Sequence, residues 1–237
     1  MPSRTIEYPL ANVVLTLELV EGVFEPTTTT QMLAAHFGNV RGKAVLDLGC
    51  GAGAIGIAAA KLGAAKVLCV DVMAAACEVA RRNAERNAVN GTVEVRNGDL
   101  FAPVGTDCFD VIVDDVSGIA HEVARVSHWY PPTIPTGGPD GTVPTTRMLR
   151  AARKHLRPGG FLLFPVIGLA TATKILDAAR EVFGHKLAKL ESKLIPFSKE
   201  LYEHIDMLSD LKAKGVIDFE QRRSRYLWDL SVYRADV

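Results

Sequence analysis

Ala44-Val-Leu-Asp47-Leu-Gly49-Cys-Gly51-Ala-Gly53-Ala-Ile-Gly56-Ile-Ala-Ala-Ala-Lys61 reads as a buried strand, a glycine-rich turn and a helix of small residues. The strand part is apolar apart from Asp47, as a strand covered on both faces has to be. The glycines let the backbone turn sharply and approach a ligand closely, and the helix that follows aims its N-terminus at the same spot. Three further apolar runs, KVLCVDV (66–72), VEVRNGDL (93–100) and FDVIVDD (109–115), read as strands. AAACEVARRNAERNAVNG (74–91) lies between the first two of these as a polar-faced helix. The strands finish at Asp71, Asp99 and Asp115, so three acids and the glycine turn converge on one rim. Alternating strands and helices of this length specify a parallel sheet with helices on both faces, and such sheets bind ligands at the carboxyl ends of their strands.

Outside this centre the pattern continues. Residues 12–24 alternate as a strand or hairpin, Pro26 interrupts them, and TTTTQMLAAHF (27–37) begins with threonine caps and runs on as a helix. GIAHEVARVSHW (118–129) predicts a helix, and YPPTIPTGGPDGTVP (130–144) is too rich in proline and glycine for any regular element. TTRMLRAARKHL (145–156) is a helix, Pro158–Gly160 a turn, FLLFPVI (161–167) a strand and TATKILDAAREVF (171–183) a helix. KLAKLESKLIPF (186–197) is a further strand. SKELYEHIDMLSDLKAKG (198–215) puts Leu201, Ile205, Leu208 and Leu211 on one face of a single amphipathic helix, and SRYLWDLSVYRA (224–235) is the last strand. The expected organisation is an N-terminal strand and helix extension, residues 1–40, covering the site, and a binding and catalytic domain over 41–237.

The chain has 237 residues, with 27 Lys and Arg against 27 Asp and Glu. A dedicated nucleic-acid binder carries a basic excess, so the balance favours a small-molecule acceptor over protein or RNA. No two of Cys50, Cys69, Cys77 and Cys108 have Cys-x-x-Cys spacing and no histidine, cysteine and acid cluster has ligand spacing, so neither a metal nor a redox pair is expected. The opening residues lack the apolar run of a signal peptide and no apolar stretch is long enough to span a bilayer, which makes the cytoplasm the expected compartment.

Gly51-x-Gly53-x-x-Gly56 matches the dinucleotide pattern, which alone is a weak signal. Three details favour S-adenosyl-L-methionine instead. Asp47 lies two residues before the first glycine, where an acid suits a cationic sulfonium amino acid and repels a pyrophosphate. Asp99, in Asn97-Gly-Asp99-Leu100, ends the third strand, where a carboxylate meets an adenine amino group. The chain is too short to add a catalytic domain to a full dinucleotide domain.

On these residues the sequence resembles the class I S-adenosylmethionine-dependent methyltransferases, in the branch that includes the release-factor glutamine methyltransferases. The resemblance covers roughly residues 19–168. It extends upstream to Val23-Phe24-Glu25-Pro26 with Thr30 and Leu33, and downstream to Gly137-Gly138-Pro-Asp140-Gly141 and Leu156-Arg-Pro-Gly-Gly160. It implies an α/β, Rossmann-like, seven-stranded and mostly parallel sheet with one antiparallel strand near the end. It implies that Asp47, Gly49, Gly51 and Gly53 surround the methionine part of the cofactor, with Thr30 near its carboxylate. Asp71, with Val72 beside it, would take the ribose, and Asp99 with Leu100 would frame the adenine; Asp114 is placed with the cofactor set as well as with the catalytic candidates.

The branch that methylates planar nitrogens carries Asn-Pro-Pro-Tyr after its fourth strand. Here the residues are Asp114-Asp115-Val116-Ser117-Gly118. Transfer to a sulfonium methyl's acceptor needs in-line alignment at about 3–3.5 Å and exclusion of water. A carboxylate helps where the acceptor must lose a proton or carries charge. Asp115 is the leading catalytic candidate, with Asp114 beside it and His121 on the helix that follows. Tyr130 and Trp129 open the proline-rich loop as a lid. The expected reaction is methyl transfer to a small-molecule amine or hydroxyl. The alternative is consumption of the same cofactor without methylation, its own amine attacking the γ-carbon to give azetidine-2-carboxylate and methylthioadenosine.

Overall fold

The computed structural model describes residues 3–237; the first two residues of the 1–40 extension lie outside the described residues. The chain opens with a hairpin, β1 (Ser3–Leu10) and β2 (Val13–Val20), followed by α1 (Thr28–Ala35). Thr27 and Thr30 form a reciprocal capping box at the start of α1, which satisfies two of the backbone N–H groups that a helix start leaves bare. Next come β3 (Ala44–Leu48), α2 (Ala54–Lys61), β4 (Lys66–Asp71), α3 (Ala74–Arg86), β5 (Val93–Asn97) and β6 (Phe109–Asp114). The second half holds α4 (His121–Val126), α5 (Val143–Ala152), β7 (Leu156–Ile167), α6 (Ala172–Phe183), β8 (Leu187–Pro196), α7 (Lys199–Glu203), α8 (Ile205–Ala213), β9 (Glu220–Arg222) and β10 (Arg225–Asp236).

The main sheet runs β5-β4-β3-β6-β7-β10-β8, with the short β9 paired to β10. The five strands from β5 to β7 are parallel, and β10 is antiparallel to both β7 and β8. This is the Rossmann-like sheet expected from the sequence. Strand order reverses between β3 and β6, and a crevice opens beyond their carboxyl ends. Val45, Val111, Val113 and Leu163 pack on one face against α1, α2 and the hairpin. Leu46, Ile112, Leu162 and Phe164 pack on the other against α5 and α6. Among the described residues no helix is long and apolar enough to cross a membrane.

Several boundaries differ from the sequence reading. The hairpin begins at Ser3, well before residue 12. The helix expected over 118–129 is limited to α4. Pro158–Gly160 lies inside β7, where the pairing register with β6 shifts, rather than in a turn. The single helix expected over 198–215 is two, α7 and α8, parted at His204, whose backbone is off the helical conformation. These two helices and β9 form a satellite body above the sheet's carboxyl rim. Phe197, Tyr202, Phe219 and Tyr226 hold it together by mutual ring contacts at 5.0–6.2 Å.

The hairpin is tied to the sheet by two asparagines of α3 and its end. Asn83 is wholly buried; its Oδ1 accepts from Glu18 N at 2.7 Å, and its Nδ2 donates to Glu18 O at 3.0 Å and to Ala52 O at 2.9 Å. Asn87 repeats the exchange with Thr16 N and O, at 3.0 and 2.8 Å. One turn of helix separates the two residues, so the pair reads alternate peptide groups of β2 as a neighbouring strand would. Asn83→Ala leaves the Glu18 and Ala52 groups unpaired in the core and should lower unfolding free energy by about 1–3 kcal/mol, measured from the urea midpoint. An unchanged midpoint would show that the hairpin docks by apolar contact alone.

Candidate active site

A cavity of about 640 Å³ opens at the carboxyl rim between the ends of β3, β4 and β6, α1 and the satellite body. Its centre is set by a close approach of backbones. Gly49 has φ +74, and a Cβ there would lie 2.8 Å from Val116 Cα and 2.9 Å from Asp115 O. Only glycine fits such a turn. Asp115 N donates to Leu48 O at 2.9 Å, so the segment after β6 is stitched to the end of β3.

Asp47 is fully buried. Its Oδ2 accepts from Gly56 N at 2.9 Å, which caps the first turn of α2 from the neighbouring strand. Its Oδ1 is buried without a partner. Burial, reinforced by the charges of Asp115 and Asp71, pushes the carboxyl up to about 8. Asp71 holds the loop: Oδ2 accepts from Gly51 N at 2.9 Å and Oδ1 from Met73 N at 2.8 Å. Each oxygen keeps a lone pair for a further donor such as a sugar hydroxyl. Gly53 begins α2 in the left-handed conformation. Val72 is exposed beside Asp71, and Leu100 shares this end of the cavity. Asp99 is there too, but its carboxylate is bound to Arg147 of α5 at 2.7 Å.

Thr30 joins the α1 cap to the chemistry. Its hydroxyl accepts from Thr27 N at 3.0 Å and donates to Asp115 Oδ2 at 2.7 Å. Asp115 lines the cavity, and burial raises its carboxyl to about 6 against the lowering effect of Thr30. Asp114 does not line the cavity. It is fully buried, neither carboxylate oxygen has a partner, and burial followed by the charge of Asp115 holds its carboxyl well above the ordinary range. Adjacent strand residues point to opposite faces, so the expected pair divides into one cavity residue and one core residue. His121 is also outside the cavity; it is exposed at the start of α4, and its Nδ1 is 3.4 Å from Thr136 Oγ1.

Tyr130 does line the cavity. Its hydroxyl donates to Pro135 O at 2.7 Å and meets Ser117 Oγ in a short hydrogen bond, while Phe24 packs edge-on at 5.1 Å. The tyrosine therefore pins the proline-rich segment over the site. The far end of the cavity is formed by Ile167, Ile195, Leu201 and Trp228. None of these was found from the sequence, since they come from β7, β8, α7 and β10 and share no motif.

The site fits S-adenosylmethionine on its own features: a bare buried carboxylate oxygen at Asp47 for a cationic group, and acceptor capacity left at Asp71 for hydroxyls. The methyltransferase small domain model matches residues 15–115. A putative protein N5-glutamine methyltransferase of Methanocaldococcus jannaschii is 33% identical over 144 residues, 61% of this chain and 72% of that one. The release factor glutamine methyltransferase of Gloeobacter violaceus is 34% identical over 146 residues, 59% of this chain and 51% of the relative, so the match spans about half of that protein. Among solved structures, a Thermus thermophilus 16S rRNA N2 G1207 methyltransferase in complex with AdoMet and guanosine superposes with a TM-score of 0.60 at 18% identity, over 99% of this chain and 50% of that one. The fold is that of the class I S-adenosylmethionine-dependent methyltransferases. The chain belongs to the methyltransferase small domain family, among relatives named for protein glutamine methylation.

These relatives correct two expectations. They are named for macromolecules, protein glutamine and ribosomal RNA, not for small molecules. The small-molecule acceptor does not stand, and neither does the preference for such a partner over protein or RNA. The cyclisation to azetidine-2-carboxylate has no support among relatives that are named as methyltransferases.

Asp47 sets a pH signature. Its raised value means that the folded state favours the neutral carboxyl, so its contribution to stability is complete below the ordinary 3.8 and is lost as pH climbs through about 8. The unfolding free energy of the wild type relative to Asp47→Asn should therefore decline steadily from about pH 4 to about pH 9. A difference independent of pH in urea titrations would mean that Asp47 is ionised throughout.

Proposed function

We propose that this chain transfers the methyl group of S-adenosylmethionine to a nitrogen of a protein substrate. The observation that carries the reading is one continuous cavity that joins the Asp47 and Asp71 loop to Asp115 and then to an apolar chamber ending at Trp228. The bound cofactor supplies an electrophilic methyl on a cationic sulfur. The chain's own residues do the rest. Asp71 holds the Gly51 turn and receives hydroxyls; Asp47 offers a bare oxygen to positive charge; Leu100 and Val72 flank the adenosine end, next to the Asp99–Arg147 pair. Thr30 fixes the Asp115 carboxylate at the cavity's centre, where it orients the acceptor and takes up a proton. Tyr130, pinned by Ser117 and Pro135, shuts out water, which competes with the acceptor for the methyl group.

Protein rather than RNA follows from charge. The chain has equal numbers of acids and bases, and the cavity is lined by five acids and one arginine. Such a mouth repels a phosphate backbone. The relatives above 30% identity are named for protein acceptors, whereas the RNA enzyme is similar in fold alone. In this reading residues 1–40 cover the cofactor end and 41–237 form the catalytic domain. We place the protein in the cytoplasm, where free Cys50, Cys69, Cys77 and Cys108 stay reduced.

The test is label transfer. With methyl-labelled S-adenosylmethionine and an extract of the source organism, label should enter protein and survive nuclease. Label confined to RNA would reverse the choice of acceptor. Asp71→Ala removes hydrogen bonds to a charged acceptor, worth about 1.5–3 kcal/mol each. Its calorimetric affinity for S-adenosylmethionine should fall at least about tenfold; full affinity in the folded variant would remove Asp71 from the cofactor site.

A further inference from the structure

The charged residues lining the cavity are Glu25, Asp47, Asp71, Asp99, Asp115 and Arg147. Most are already engaged. Arg147 is bound to Asp99 and Glu25 to Arg4; Asp47 caps α2 through Gly56, and Asp71 holds the Gly51 loop. Asp115 is different. Thr30 donates to its Oδ2. Its Oδ1 has no hydrogen bond from the chain, and among the described residues no lysine, arginine or histidine pairs with it. A carboxylate in a recess without a cation of its own is costly unless a ligand brings the opposite charge.

The surroundings say what kind of ligand. Beyond Asp115 the walls are Ile134, Ile167, Leu201 and Trp228, with Tyr130 as roof. They suit a hydrocarbon stem. Two of the hydroxyls that line the cavity are committed, Thr30 to Asp115 and Ser117 to Tyr130, while Ser198, next to Leu201, keeps a buried hydroxyl without a partner. A primary amide could take a hydrogen bond from Ser198 but brings no charge to offset the carboxylate. An aliphatic ammonium brings charge and asks only for acceptors.

Resting on the protein-methyltransferase reading, we propose that the group methylated here is an aliphatic amine, a lysine side chain, which Asp115 draws in as a cation and deprotonates. In that step the ammonium gives one proton to the Asp115 carboxylate, which passes it to solvent. The freed nitrogen lone pair forms the new bond to the methyl carbon while the carbon–sulfur bond breaks and its electron pair stays on sulfur. The products are the methylated ammonium and adenosylhomocysteine.

Binding of side-chain analogues tests this without a known substrate. The enzyme is saturated with adenosylhomocysteine and titrated with n-butylammonium or with neutral butyramide at about pH 8, where the Asp115 carboxyl is ionised. The wild type should bind the ammonium at least about tenfold more tightly than the amide. Asp115→Asn should lose that preference and keep its adenosylhomocysteine affinity within about threefold. Equal binding of the two probes by wild type overturns the proposal and needs no variant. So does a preference that survives in Asp115→Asn, or a matching loss of adenosylhomocysteine affinity, which would assign Asp115 to the cofactor. Hydrolysis of labelled protein separates the two levels. Methyl-lysine supports the proposal. N-methylglutamine defeats it while the methyltransferase reading stands, and an absence of protein label defeats that reading and the proposal with it.

Discussion

Everything at this site depends on two strand ends touching without a side chain between them. Gly49 leaves room for Val116 Cα and Asp115 O at distances that no Cβ tolerates, and Leu48 O accepts from Asp115 N across the same gap. The glycine loop and the segment after β6 are thereby one object. The same contact fixes where Asp115 stands relative to the loop. A side chain at residue 49 would push the two strand ends apart. The contact also sits where strand order reverses, at the crevice beyond the strands' carboxyl ends.

Charge is arranged around that contact by degrees of commitment. Asp47 gives one oxygen to α2 and withholds the other. Asp71 spends an oxygen on each side of the loop. Asp99 is neutralised by Arg147. Asp115 meets a hydroxyl only. The acids thus grade from structural to available along the cavity. The raised carboxyls of Asp47 and Asp115 follow from the same fact, since burial penalises charge that nothing opposes.

The parallel half of the fold was legible because its signals are local. Ala44–Lys61 contains its own strand, turn and helix start, and the acids at the ends of β4 and β6 follow from strand length alone. Asp114 and Asp115 are adjacent in sequence, yet the two-residue period of a strand divides them: one is buried in the core, the other lines the cavity. His121 was drawn in by its nearness in sequence, but α4 turns it to solvent. The break at His204 has no proline or glycine to announce it. The apolar periodicity of 198–215 survives the break because both pieces pack on the same aromatic cluster. Ile195 and Trp228 were out of reach for another reason. A strand that inserts antiparallel between β7 and β8 brings residues together from far along the chain, and no short motif records it.

That antiparallel insertion divides the molecule's labour along its sequence. β10 starts at the rim, where its Trp228 and Leu230 line the cavity together with Leu201 of α7, and its later residues complete the sheet. The glycine loop is written between residues 44 and 73, while the satellite body is written after residue 196. The two are joined through the sheet and share no loop. The satellite is held by its own ring cluster rather than by the cofactor turn. Exchange of that late segment is a route by which one cofactor scaffold acquires a new clientele while the machinery that handles the common reagent is inherited unchanged.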